Sequence, residues 1–283
     1  MKIGCHAVLF TDQIAIDTEG VLSGLAASGG KGVEIGARFF GVDKNMELKG
    51  LLEAHKMELS GLHAVILLTD LLDQPDKVRD TIAKAAEFLQ VMPNKNIILT
   101  GGKQMPPAAG ENHENREEDR RLSDPAQVKT IAEKLNEMSS FAKESGVQIH
   151  YHNHDWEFEH NGILYEAFIK YAPDMNFALD TGWALSSDWN PVKMIEEHPS
   201  RYTYVHIRDF RKKDMVNCHN HIEKQDKFVD LGEGDVDLKQ LMTTLKTHMP
   251  DNGWAVIEYE KGEVSFERYV RAVQYLETLL SSL

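Results

Sequence analysis

Four side chains that commonly ligate metals stand near the ends of four short apolar runs: His152 in VQIHYH, Asp180 in MNFALD, His206 in YTYVHIRD and Glu258 in WAVIEYE. Successive side chains along a β-strand point to opposite faces. In the stretch from Val147 to Phe158, VQIHYHNHDWEF, this puts His150, His152 and His154 on one face and Val147, Ile149 and Tyr151 on the other. A column of imidazoles behind an apolar face suits a site better than a core. Asp180 and His206 also lie opposite the main aliphatic residues of their runs. Glu258 instead shares its face with Trp254 and Val256, a less clean alternation. Strands running parallel about one axis would bring the four side chains together.

Two imidazoles and two carboxylates make a borderline donor set for one divalent ion of Mn, Zn, Co or Fe, with Mg less favoured as imidazole content rises. Such an ion can hold adjacent hydroxyl and carbonyl oxygens of a substrate and acidify the neighbouring C–H bond by stabilising an enediolate. A base must then move the proton, and Glu258, Glu157 and His154 are the candidates. His6, Glu34 and His63 lie on early strands and are placed to line a pocket, while Trp156 and Trp183 could wall a sugar ring or simply pack. Arg208 opens the basic cluster that continues with Arg211, Lys212 and Lys213, facing either a small anionic or polar substrate or solvent.

Each position also has a plainer role. A lone histidine at a strand end is often a hydrogen-bonded core residue, and an aspartate before Thr181 and Gly182 is often a turn residue. Cys218, His219 and His221 in NCHNH have a metal-site composition without a matching partner segment, and a solvated loop is expected there. LGEGD, Leu231 to Asp235, is too short and too acidic to cradle phosphate. It is expected to form a turn entering the last strand-helix unit, with Glu233 reaching the substrate.

The elements that must carry these residues follow from the rest of the chain. With 283 residues, 42% apolar and 27% charged, it can bury a large core, and one domain spanning 1–283 is expected. A net charge of −14 argues against nucleic acid as a partner. Cys5 and Cys218 suit free thiols in a reducing compartment. The first residues, MKIGCHAVLFTD, are broken by His6 and are too short an apolar run for a signal peptide or a membrane span, so a cytoplasmic protein is expected.

Strand patterns fall at Ile3–Phe10, Gly32–Gly36, Glu58–Ala64 and Asn96–Thr100, then at the histidine stretch, Met175–Asp180, Tyr202–Ile207 and Trp254–Glu260. Helical spacing falls at Thr18–Ser28, Asn45–Lys56, Asp76–Met92, Pro125–Gly146, Leu164–Tyr171, Pro191–Glu197, Leu238–Met249 and Phe266–Leu280. Gly101 to Asp124 breaks the rhythm with Gly, Pro and charge, as a lid or a loose insertion would. Eight alternations predict an α/β fold of the (β/α)8 TIM barrel type, whose active sites gather at the C-terminal strand ends. A doubly wound open sheet is the runner-up, but no GxGxxG follows the first strand.

GVEIG, GLHA, GVQIHYHNHDWEFE, FALDTGW, YVHIRD, VDLGEGDVD and VIEYE occur in this order. Together they resemble the sugar phosphate isomerase/epimerase group of the xylose isomerase-like TIM barrel superfamily, over nearly the whole chain. That superfamily also holds inosose dehydratases, ketose 3-epimerases, hydroxypyruvate isomerase, 3-dehydroshikimate dehydratase and endonuclease IV.

The resemblance implies one divalent ion held by Glu, Asp, His and Glu from four strand ends. Asp180, His206 and Glu258 take the last three places. His152 stands where the family's first Glu belongs, which in the epimerases is also one of two acid/base carboxylates. Glu157, five residues on, is the candidate to replace it as base or ligand. Trp183 stands where several epimerases carry a substrate-binding His. Arg208, His63 and Trp183 would orient the substrate, with His6 and Glu233 as further contacts.

The expected activity is a metal-dependent isomerase or epimerase of a small sugar, keto sugar or sugar phosphate. The alternatives are a lyase of the inosose dehydratase kind and a carbohydrate-binding barrel without turnover. A nuclease is disfavoured by the acidic charge and by the lack of visible extra ligands for a three-metal cluster. A small carbohydrate, with neither nucleic acid nor membrane, is the expected partner.

Overall fold

Short β-branched and aromatic runs bounded by turn residues form the strands of a closed parallel barrel in the computed structural model, which describes residues 1–11, 13–102, 117–218 and 220–283. Most of the predicted Gly101–Asp124 lid or insertion, and His219, lie outside the described residues. The barrel strands are β1 (Lys2–His6), β2 (Gly32–Gly36), β3 (Glu58–Leu67), β4 (Asn96–Gly102), β5 (Gln148–His152), β6 (Asn176–Asp180), β7 (Tyr204–Ile207) and β10 (Trp254–Ile257). Each pairs in parallel with the next, and β10 closes on β1. Two short strands, β8 (Asp209–Phe210) and β9 (Phe228–Val229), form an antiparallel pair in the connection from β7 to β10. Helices cover the outside, so the predicted (β/α)8 barrel is the fold. Among the described residues no helix is long and apolar enough to cross a membrane.

The long helices start where the sequence supplies caps. Pro125–Glu144 begins on Asp124, whose carboxylate accepts from the amides of Ala126 and Gln127, and Pro191–Glu197 begins on Asn190 in the same way. Several strands are shorter than predicted. The pairing of β4 with β5 ends at Thr100 and His152, after which the chain turns outward, so His154 sits on the loop after β5 and not on the strand. Likewise Ala7–Phe10 is a 3₁₀ turn, and Glu258 is the first residue past β10. Glu117–Ser123 is a helix that the charge-rich sequence does not announce.

The inward face explains the odd alternation around Glu258. Trp254, Val256, Tyr204, Ile98 and Ala178 form an apolar cluster of their own, apart from the larger core between strands and helices. The barrel interior is thus apolar at its floor and polar at its C-terminal end. A register shift between β2 and β3 pairs Val33 with Leu59 but Glu34 with Gly61, so Ser60 is an extra residue. Gly61 is required beside it, because a Cβ there would stand 2.5 Å from Ile98 and 3.1 Å from the Tyr204 hydroxyl. Past this bulge His63 turns into the barrel mouth.

Candidate metal centre

The register of the strands levels the inward residues at the barrel mouth, with His6 beside Glu34, Thr100 beside His152 and Asp180 beside His206. One ligand atom from each of His152, Asp180, His206 and Glu258 lies within 4.8 Å of the others, and all four residues are buried. A cavity of ≈ 160 Å³ opens above them, lined among others by His6, His63, His152, His154, Glu258 and Glu260. The sequence expectation that four strand ends converge matches this placement.

His152 is the ligand candidate that tests the fit to a cation. Its side chain is 1% exposed, yet neither ring nitrogen has a hydrogen-bond partner among the described residues. Burying an unpaired polar group is costly, so a lone pair held there needs an acceptor such as a cation. Burial first, then repulsion from His206 and His154, holds its pKa well below the usual imidazole range, which keeps the ring neutral and able to ligate. His206 Nδ1 and Glu258 Oε2 lie 2.7 Å apart, close enough for one ion to take both. The residues fit a divalent ion.

The remaining atoms of these ligands are anchored. Asp180 caps the helix Thr181–Ser186, Oδ1 accepting from the Trp183 amide at 2.8 Å, while Oδ2 accepts from Arg208 Nε at 2.6 Å. The aspartate is therefore both the turn residue and a member of the cluster. Burial pushes its carboxyl up to about 6, against the opposing charge of Arg208. His206 places Nε2 2.6 Å from Glu34 Oε2. Burial would lower its pKa, but Glu34 and Glu258 raise it well above the usual range. Burial would likewise raise the Glu258 carboxyl, and Arg208, His206 and His6 instead hold it well below. Asn153 ties β5 to β6, accepting from the Asp180 amide at 3.0 Å and donating to the Asp180 carbonyl at 3.2 Å.

Several expectations need correction. Glu157 is fully buried but turned toward the outer core: Oε1 accepts from the Tyr151 hydroxyl at 2.7 Å and Oε2 from the His154 amide at 2.8 Å. It braces the loop and does not line the cavity. Glu233 is on the surface beside Arg211, because the amides of Gly232 and Gly234 in LGEGD, and of Val236 just after it, turn inward onto Asp209, which accepts from them at 2.9 to 3.1 Å. Trp183 is fully buried beneath the cavity lining, stacked on His221 at 4.3 Å. Arg208 is also buried, paired with Asp180, Glu258 and Glu260, so it is not a free phosphate holder. His154 lines the cavity with Nδ1 unpartnered among the described residues, and burial lowers its pKa to about 3.

Other residues were missed. His221, expected in a solvated loop, bonds Asp155 through Nδ1 at 2.8 Å and packs against His154, Trp156 and Trp183. No local pattern announces that pairing, since its partner is 66 positions away. Glu260 lines the cavity and accepts from Gln225 at 2.7 Å, and its spacing of two from Glu258 was the available signal.

The family model described as xylose isomerase-like TIM barrel matches residues 23–279. An inosose dehydratase of Clostridium tetani is 25% identical over 300 residues, covering 98% of this chain and 96% of that protein. A sugar phosphate isomerase/epimerase from Parabacteroides distasonis superposes with a TM-score of 0.69 at 18% identity, covering 97% of this chain and 93% of that one. A probable 3-DHS dehydratase from Bacillus anthracis superposes with a TM-score of 0.73 at 13% identity, covering 98% and 99%.

Proposed function

The chain belongs to the xylose isomerase-like TIM barrel family, and on that premise we propose that it is a lyase that removes the proton beside the carbonyl of a small, uncharged polyhydroxy ketone and expels a hydroxyl as water. The observation that carries this reading is the ligand set His152, Asp180, His206 and Glu258 under a cavity with His154 and Glu258 at its wall. A divalent ion held by that set would polarise the substrate carbonyl and acidify the adjacent C–H bond.

Glu258 is kept ionised and takes the α-proton on Oε1, the oxygen that His6 Nδ1 and Arg208 Nη2 hold at 2.9 and 3.0 Å. The C–H electron pair becomes the enolate double bond. It then expels the β-hydroxyl, which takes the proton from Glu258 and leaves as water. The product is an enone, or the enol of a dione where the α-carbon bears a hydroxyl. His154, neutral at pH 7, offers Nδ1 to a substrate hydroxyl and orients the ring.

Epimerisation needs a base on each face of the enolate. His152 in place of a carboxylate, and Glu157 turned away from the cavity, remove the paired carboxylates of a two-base epimerase, and of the lining carboxylates Glu258 and Glu260 we take Glu258 as the carrier. A single base also suits transfer between neighbouring carbons, and the likeness to a sugar phosphate isomerase/epimerase favours that second reading. A keto inositol and a panel of keto sugars, offered to protein loaded with Co²⁺ or Mn²⁺, separate the two. An absorbing enone or dione supports the lyase, and an isomer formed without loss of water supports the isomerase. Glu258→Gln should lower either rate by roughly 10²-fold or more. Sugar binding with no turnover on any substrate would favour the carbohydrate-binding barrel instead.

A further inference from the structure

His6 ends β1, Glu34 is the middle residue of β2 and His63 lies within β3, beside the first ligand set but not part of it. Glu34 is fully buried and His6 nearly so, and both histidines line the cavity. Glu34 Oε1 stands 2.8 Å from His63 Nδ1 and 3.4 Å from His6 Nε2, and one ligand atom from each of the three residues lies within 4.8 Å of the others. We propose that these three residues form a second divalent-cation site, open to the cavity on its remaining side, so that the barrel mouth holds a pair of ions.

The opposite atom of each ligand is what favours a site over a chance cluster. Histidines that bind metals characteristically give their other ring nitrogen to a fixed partner, which sets the ring orientation. His63 has Nε2 on the Thr100 hydroxyl at 2.6 Å, and His6 has Nδ1 on Glu258 Oε1 at 2.9 Å. Glu34 has its far oxygen, Oε2, fixed by the Tyr204 hydroxyl at 2.7 Å and by His206 Nε2 at 2.6 Å. The three remaining atoms are thereby aimed at one another, with His63 Nδ1 and Glu34 Oε1 sharing a hydrogen bond at 2.8 Å that a bound ion would replace.

The two clusters also brace each other. His206 of the first set leans on Glu34 of the second, and His6 of the second leans on Glu258 of the first. Ordering either set orders the other. Two imidazoles and one carboxylate with an open position suit Zn²⁺, Co²⁺, Fe²⁺ or Mn²⁺. None of this depends on the substrate.

The test is metal content per chain by elemental mass spectrometry, on full-length protein without an affinity tag, equilibrated with Zn²⁺ or Co²⁺ and dialysed. Two ions are expected in the wild type, one in His63→Gln, one in Asp180→Ala and none in the double variant. Close Co²⁺ ions should also show spin coupling in electron paramagnetic resonance, lost in either single variant. Circular dichroism checks folding, and His6→Gln replaces His63→Gln if the latter does not fold. One ion in the wild type, lost in Asp180→Ala and kept in His63→Gln, would overturn the second site and leave the proposed reaction standing. Two ions retained in both histidine variants would also overturn it. No ion at all would overturn both.

Discussion

A glutamate at position 152 would add a carboxylate to the barrel mouth, and the imidazole that stands there has both ring nitrogens without a hydrogen-bond partner among the described residues. His152→Glu should therefore move ion preference from Zn²⁺ and Co²⁺ toward Mn²⁺ and Mg²⁺, measured by competitive equilibrium dialysis. An unchanged preference would remove His152 from the ligand set. Glu157→Gln should leave metal content unaltered while lowering stability by about 1–2 kcal/mol, because it weakens a buried acceptor of two hydrogen bonds. Lost metal with unchanged melting would restore Glu157 as a ligand. His152, Asp180, His206 and Glu258 were legible because each falls on the inward side at a strand end. The direction of Glu157 was not, since it depends on Tyr151 across the loop, and neither was His221, whose partner is remote in sequence.

At the level of elements, caps and apolar periods read well: Pro191–Glu197 lies where the sequence puts it, and Phe266–Ser281 differs by one residue. The ends of strands read poorly, because β5 and β10 stop where their neighbours stop pairing, and the extra residue in β3 has no local signature. After β5 the chain passes through His160, Asn161 and Gly162 in succession at φ 52, 58 and 73°, and a regular helix follows. A Cβ on Gly162 would meet Trp189 at 2.2 Å, so Gly162→Ala should cost roughly 2–3 kcal/mol in thermal or urea unfolding. A loss below ~0.5 kcal/mol would show that the turn relaxes freely.

The last helix is clamped by Asp230, which accepts from Arg268 at 2.7 Å and Arg271 at 2.8 Å. Burial would raise this carboxyl, but the two arginines hold it below its usual value of 3.8. A depressed carboxyl contributes stability above its unfolded value, and that contribution is lost as pH falls through the folded one. Asp230→Asn should thus destabilise by no more than about 1 kcal/mol at neutral pH, since the group is only partly buried and its partner Arg271 is exposed and screened. The difference from wild type should vanish in acid melts below the folded value. A difference that persists there would assign the effect to packing.

Across the whole molecule, the −14 net charge is accompanied by buried carboxylates at the barrel mouth, where Glu34, Asp180 and Glu258 face Arg208 and His206. The fold was legible because eight strand-helix alternations leave few other architectures, and the acidic, imidazole-rich mouth follows from it. A cation bound there should stabilise the folded state by mass action, about 2.7 kcal/mol at a free concentration 100 times its Kd. The most direct measurement is disappearance of the substrate α-hydrogen signal by proton NMR in deuterium oxide, whether that carbon ends in a double bond or regains deuterium. It would use a keto inositol and small keto sugars with loaded protein, stripped protein and Glu258→Gln. Metal-assisted removal by Glu258 predicts loss of the signal with the loaded protein, background with the stripped protein, and a rate roughly 10²-fold lower in the variant. Loss that survives stripping or the removal of Glu258, or none with any substrate, would contradict it.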